Sequence, residues 1–133
     1  MKTVLEQFLI REFPELYVGV YRPLTENLMS FGFECSDGWF ALLYDLSRAL
    51  TKLDEGVVAT QVKEKYGTLR FYIEGGSDEV FELIDKAEGK SATICEICGE
   101  LGKLRSLGTW LKTLCDEHYK AWVMGYLEPQ RWG

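Results

Sequence analysis

Apolar positions along the chain change their period several times, and each change marks an element. Leu5, Phe8, Leu9 and Phe13 recur at helical intervals. Thr3 and Glu6 have the spacing of a capping box and Pro14 closes the segment, so the pattern predicts a first helix. Between residues 15 and 34, Gly, Pro and aromatic residues mix without a period, which predicts loop with at most a short helical turn. The strongest helical pattern follows Asp37, a candidate N-cap. Trp39, Leu42, Leu43, Leu46, Leu50 and Leu53 share one face there, with Gly56 just beyond the end.

Strand periodicity then takes over. Val58, Thr60 and Val62 alternate before Lys65, Tyr66 and Gly67, and Leu69, Phe71 and Ile73 alternate after them, which predicts a β-hairpin. Gly75 and Gly76 end it. Ser77 or Asp78 is placed to cap a third helix whose apolar face is Val80, Phe81, Ile84 and Ala87. Further on, Lys103 to Leu107 and Trp110 to Leu114 read as two short strands around Gly108 and Thr109. A last helix is predicted from Asp116 through Leu127, with Tyr119, Trp122, Val123 and Tyr126 on its buried face and Leu127 to Pro129 as its stop.

At 133 residues the chain fits one compact domain of about 100 to 150 residues. The longest apolar runs, such as Trp39 to Tyr44, fall far short of the ~18 residues needed to span a bilayer. Glu6 and Glu12 interrupt the segment where a secretory signal would be unbroken and apolar, so the expected location is cytoplasmic. The net charge of −6 is the wrong sign for non-specific phosphate binding. It is also uneven: residues 1–88 carry nine basic and sixteen acidic residues, a balance of −7, and residues 89–133 carry six and five, a balance of +1.

The sharpest chemical signal lies in that second part. Cys95 and Cys98, then Cys115 and His118 after sixteen intervening residues, form two pairs at the spacing that lets four donors converge tetrahedrally on one Zn²⁺. Gly99 can take the positive φ that such a knuckle needs, and Asp116 and Glu117 suit the first turn of a helix carrying His118. The order knuckle, hairpin, helix predicts a treble-clef-like zinc finger. A disulfide, a redox C-x-x-C and incidental core cysteines compete with this reading, but the first needs an oxidising compartment and the second a thioredoxin-like βαβ context. Four protein ligands would close the shell, which makes the expected zinc structural. His118 is the only histidine, so committing it to metal leaves no imidazole for a nuclease general base.

Other candidates carry less. Cys35 lies beside Glu34 and Asp37, acids that would raise its thiol pKa, and capping or solvation accounts for Glu34, Asp37 and Asp45 more simply than a Mg²⁺ site. Lys63, Lys65 and Arg70 with Tyr66 and Tyr72 form a basic and aromatic cluster on the hairpin. It would contact a phosphate or an acidic partner, or else be neutralised across the strands by Glu64 and Glu74. Lys103, Arg105 and Lys112 repeat this on the second hairpin, in a weaker field.

The segments CSDGWFALLYDL (35–46), VKEKYGTLRFY (62–72), CEICG (95–99) and WLKTLCDEH (110–118), in that order, resemble a family of small uncharacterised proteins of bacteriophages, prophages and bacteria. The resemblance covers roughly residues 35–118 and implies a C-terminal zinc-binding module on Cys95, Cys98, Cys115 and His118, with Cys replacing His at the fourth position in some members. It also implies a phage or mobile-element setting.

Together these readings predict a single α+β domain over residues 1–133. An acidic part at 1–90, of N-terminal helices with a β-hairpin, precedes a zinc-binding module at 91–133. The expected function is non-enzymatic binding, with no catalytic residue and a protein as partner, in a phage setting a host enzyme or defence component. Nucleic-acid binding through the zinc module is the alternative that net charge disfavours, and no membrane partner is expected. A hydrolase or small-ligand protein would need a pocket around Trp39, Tyr66 and Arg70.

Overall fold

The computed structural model describes the backbone of residues 1–132 and the side chains of residues 1–127. Helix α1 (Thr3–Glu12) is followed by two 3-10 turns (Val18–Tyr21 and Leu28–Phe31) and a two-residue strand β1 (Phe33–Glu34). A third 3-10 turn (Asp37–Trp39) leads into α2 (Phe40–Leu53), then come β2 (Val58–Lys65), β3 (Thr68–Glu74) and α3 (Asp78–Ser91). Strands β4 (Lys103–Leu107) and β5 (Trp110–Leu114) and helix α4 (Asp116–Trp132) complete the chain, giving a mixed α+β fold with two small sheets. Among the described residues no helix is long and apolar enough to cross a membrane.

The first sheet has the order β1-β2-β3, with β1 parallel and β3 antiparallel to β2. Its core face carries Phe33, Val62, Leu69 and Phe71, and α2 and α3 supply Leu43, Leu46, Leu50, Val80 and Ile84 to the same buried cluster. Tyr17 sits in this core, edge-on to Phe33 at 4.9 Å and to Phe71 at 6.4 Å, with its hydroxyl 2.6 Å from Ser47 Oγ. The segment predicted as loop therefore delivers β1 and three buried anchors, Tyr17, Met29 and Phe33, to the core. Buried Asn27 holds it in place: its amide donates to the Ala59 carbonyl and its oxygen accepts from the Met29 N–H.

Several predicted details are corrected. Thr3 is the first helical residue and no side chain caps α1, while Glu6 accepts from the Phe33 N–H instead. Asp37 does not cap α2 either, because its carboxylate accepts the Lys2 N–H and faces the Lys2 ammonium. In β2 a bulge between Ala59 and Gln61 breaks the alternation of Val58, Thr60 and Val62, so that Ala59 and Val62 are the buried residues. Phe81 is 47% exposed on α3 and Tyr126 is 57% exposed on α4, because each helix has only one neighbour-facing stripe and these residues lie off it. Helix α4 continues through Pro129 to Trp132, since a proline this near a helix end removes only one backbone bond.

The free edge of β3 is closed by side chains of α3. Ser91 Oγ accepts the Leu69 N–H at 2.9 Å and Glu88 Oε2 accepts the Phe71 N–H at 2.9 Å, so neither donor is left bare at the sheet edge. Ser91 is fully buried. Ser91→Ala should therefore strand the Leu69 N–H and cost about 1 to 3 kcal/mol in denaturant unfolding, with no change in metal content. A near-zero loss would show that the edge bond contributes nothing.

Candidate metal centre

Cys95 follows Ile94, which bridges to Leu101 across a tight turn. Within that turn the Cys95 N–H donates to the Glu100 carbonyl and the Gly99 N–H donates to the Cys95 carbonyl, with Gly99 at φ 82°. This folds Cys95 and Cys98 toward one point. Cys115 comes directly after β5 and directly before α4, where its sulfur accepts the His118 N–H at 3.4 Å, as a capping oxygen does at other helix starts. His118 then lies in the first turn on the same side as Cys115.

The four donor atoms lie within 4.8 Å of one another. Cys98 Sγ is 3.8 Å from Cys115 Sγ, and His118 Nδ1 is 3.6 Å from Cys95 Sγ and 3.2 Å from Cys115 Sγ. None of the cysteines is in a disulfide. Among the described residues this is the one group of His, Cys and acidic side chains arranged to hold a metal ion, so the predicted quartet comes together. Burial pulls the Cys95 thiol upward, but N–H groups of Cys115, Cys98 and Ile97 outweigh it and bring the thiol down to about 7. The same N–H groups would stabilise a metal-bound thiolate.

The knuckle is bonded into the rest of the fold by Glu96, a residue the sequence pattern does not single out. Its N–H donates to the Thr113 carbonyl, its carbonyl accepts from Gly38, and its buried carboxylate accepts the Ser36 N–H at 3.0 Å. Burial raises the Glu96 carboxyl, with Lys112 and the Ser36 N–H opposing. The Trp39 indole donates to the Ile94 carbonyl at 2.9 Å, and Thr113 Oγ1 donates to the Gly67 carbonyl at 2.7 Å. A Cβ at Gly38 would lie 2.1 Å from the Cys95 carbonyl oxygen, so this approach admits only glycine.

The remaining candidates do not assemble into sites. Glu34 accepts from Gln61, Asp37 is held by Lys2, and Asp45 is exposed on α2, so the three acids do not converge. Trp39 is buried while Tyr66 is exposed, and among the described residues none of the four main cavities is lined by Trp39, Tyr66 and Arg70 together. Arg105 is engaged by Asp116, by the Leu114 carbonyl and by the Tyr119 ring, and Lys112 faces Glu96, so that among the described residues Lys103 is the one cation of that hairpin without an ion pair. No family model, curated protein or solved structure matches the chain.

Cys35 is buried beneath the knuckle, and burial, followed by the Glu96 charge, pushes its thiol up to about 12. An unfolded thiol ionises near pH 8.5, so above that pH the native state binds more protons than the unfolded one and stability falls. The loss begins at the unfolded pKa and continues until the folded thiol itself ionises. Relative to Cys35→Ala, the wild type should lose about 1 to 2 kcal/mol more stability between about pH 7 and pH 10, measured by denaturant titration. Parallel pH profiles would mean that Cys35 ionises in the folded state as it does in the unfolded one.

Proposed function

We propose that this chain is a small zinc-binding protein in which the metal is structural and the work is non-enzymatic protein binding. The convergence of Cys95, Cys98, Cys115 and His118 carries the reading. Zinc at about 2.3 Å from sulfur and about 2.0 to 2.1 Å from nitrogen, in a tetrahedron, requires sulfurs about 3.8 Å apart and sulfur to nitrogen about 3.6 Å. The Cys98–Cys115 and Cys95–His118 separations of 3.8 and 3.6 Å agree with those values, and Cys115–His118 at 3.2 Å is tighter. A donor set of three thiolates and one imidazole suits zinc over oxygen-preferring cations. His118 offers Nδ1, which leaves Nε2 pointing away from the donors.

Knuckle, hairpin and helix in that order support a treble-clef-like module, and four protein donors leave no position for a water nucleophile. The sole histidine is one of the four, so no imidazole remains as a general base. A protein partner fits the acidic balance and the exposed aromatic residues around the module, Tyr66 and Trp110 foremost. The resemblance to phage, prophage and bacterial proteins supports a role inside a host cell, acting on a host component.

Native mass spectrometry should find one zinc per chain. Cys95→Ser should lose the metal and unfold residues 91–127 in hydrogen exchange, whereas His118→Cys should keep both metal and fold. A metal-free purified protein with a fully protected C-terminal module would overturn the proposal.

A further inference from the structure

The alternation that buries Phe33, Val62 and Phe71 turns Glu34, Lys63 and Arg70 onto the opposite face of the first sheet. Gln61 opposite Tyr72 and Lys65 opposite Thr68 complete that face, which is open enough to leave Tyr72 44% exposed. Lys63 and Arg70 are direct cross-strand neighbours, a like-charge juxtaposition that works against the sheet. Among the described residues neither they nor Lys65 form an ion pair, although the chain carries 21 acidic against 15 basic residues. Arg70 Nε is buried without a hydrogen-bond partner. Of the acids on this face, Glu34 accepts from Gln61 and Glu74 pairs with Arg22, while Glu64 stands opposite Leu69 on the other face and accepts the Gly67 N–H.

Lys65 links this face to an apolar cleft. Its ammonium lies 5.5 Å from the Tyr66 ring, and Tyr66 with Trp110, Leu111, Thr109, Glu64 and Lys112 lines a cleft of about 310 Å3 between the turns of the two hairpins. Tyr66 is 66% and Trp110 72% exposed. Exposed Trp and Tyr side chains flanking one cleft are among the residue types that dominate binding energy at protein interfaces, and half-buried Arg70 stands on the sheet face that Lys65 shares.

We propose that this surface docks an acidic protein segment, which inserts one apolar side chain between Tyr66 and Trp110 and sets carboxylates against Lys65, Lys63 and Arg70. The proposal rests on the protein-binding reading above and names its surface. A polyphosphate fits less well, because Glu64 lines the cleft and Glu34 shares a row with Lys63 and Arg70, so that a continuous run of phosphates would meet an acid. Discrete carboxylates on a peptide can avoid those acids.

The test uses the full zinc-loaded chain and a fluorescein-labelled peptide with one central phenylalanine flanked on both sides by glutamates, followed by anisotropy. The peptide should bind with Kd below about 1 mM at low salt. Trp110→Ala and Lys65→Glu should each weaken it about tenfold or more at unchanged zinc content. Arg70→Gln should weaken binding while raising the melting temperature, because it removes the charge opposite Lys63; a structural role for Arg70 would lower both. Absence of binding, or equal binding by these variants, overturns the proposal. Tighter binding of an oligouridylate, lost in the same variants, assigns the face to nucleic acid and also overturns it. A cellular protein partner that still binds Trp110→Ala and Lys65→Glu would remove this surface while leaving the protein-binding reading in place.

Discussion

The convergence of four donors is the constraint on which the last third of the molecule depends. Between Thr93 and Leu127 the only buried apolar side chains are Cys95 and Leu114, and nearly everything else is exposed or half-exposed. A segment with so little apolar burial cannot offset the conformational entropy of its own ordering. The preceding part is different, with Leu9, Tyr17, Met29, Trp39, Leu43 and Leu69 fully buried in one continuous cluster. A zinc ion on Cys95, Cys98, Cys115 and His118 would supply what the hydrophobic effect does not, about 10 to 16 kcal/mol in small zinc-finger peptides.

This division explains which features were legible in the sequence. Metal-ligand geometry works over short distances, so it imposes short, fixed spacings, and the two C-x-x pairs could be read without knowing the fold. The periods of Leu42, Leu43, Leu46 and Leu50 and of Leu69 and Phe71 were legible for the same reason, since the core they face selects every member of the repeat. Residues whose partners are far along the chain left no such trace. Asn27 and Ala59 are 32 residues apart, Ser36 and Glu96 are 60 apart, and nothing local marks Asn27 or Glu96 as buried. The extra residue at Thr60 is equally silent, because a bulge is fixed by what the neighbouring strands need.

The local capping readings failed for a related reason. Thr3, Glu6 and Asp37 have the chemistry and spacing of caps, but each carboxylate found a donor from another segment, Phe33 for Glu6 and Lys2 for Asp37. Such bonds close the N-terminal helix against the start of β1 and against the turn before α2. A local capping bond contributes about 1 kcal/mol whichever N–H it serves, so the tertiary arrangement that also brings apolar surfaces together prevails. Glycines follow the same logic: Gly67 is required by its φ of 84° in the hairpin turn and also by Leu104, whose Cδ1 lies 2.5 Å from where a Cβ would stand.

That last contact ties the proposed docking surface to the metal. Tyr66 and Trp110 belong to different sheets, and their relative position is held by the Thr113 hydroxyl on the Gly67 carbonyl and by Leu104 against Gly67. Thr113 is two residues before the candidate ligand Cys115, and its carbonyl accepts from Glu96 inside the knuckle. Opening the candidate metal site would free β4 and β5 and with them the cleft, whereas the cluster around Tyr17 and Leu43 draws its buried side chains from residues 9–87. If a partner docks at the proposed cleft and a metal fills the four donors, the two would be thermodynamically linked without the partner touching a metal ligand, each strengthening the other by the same factor.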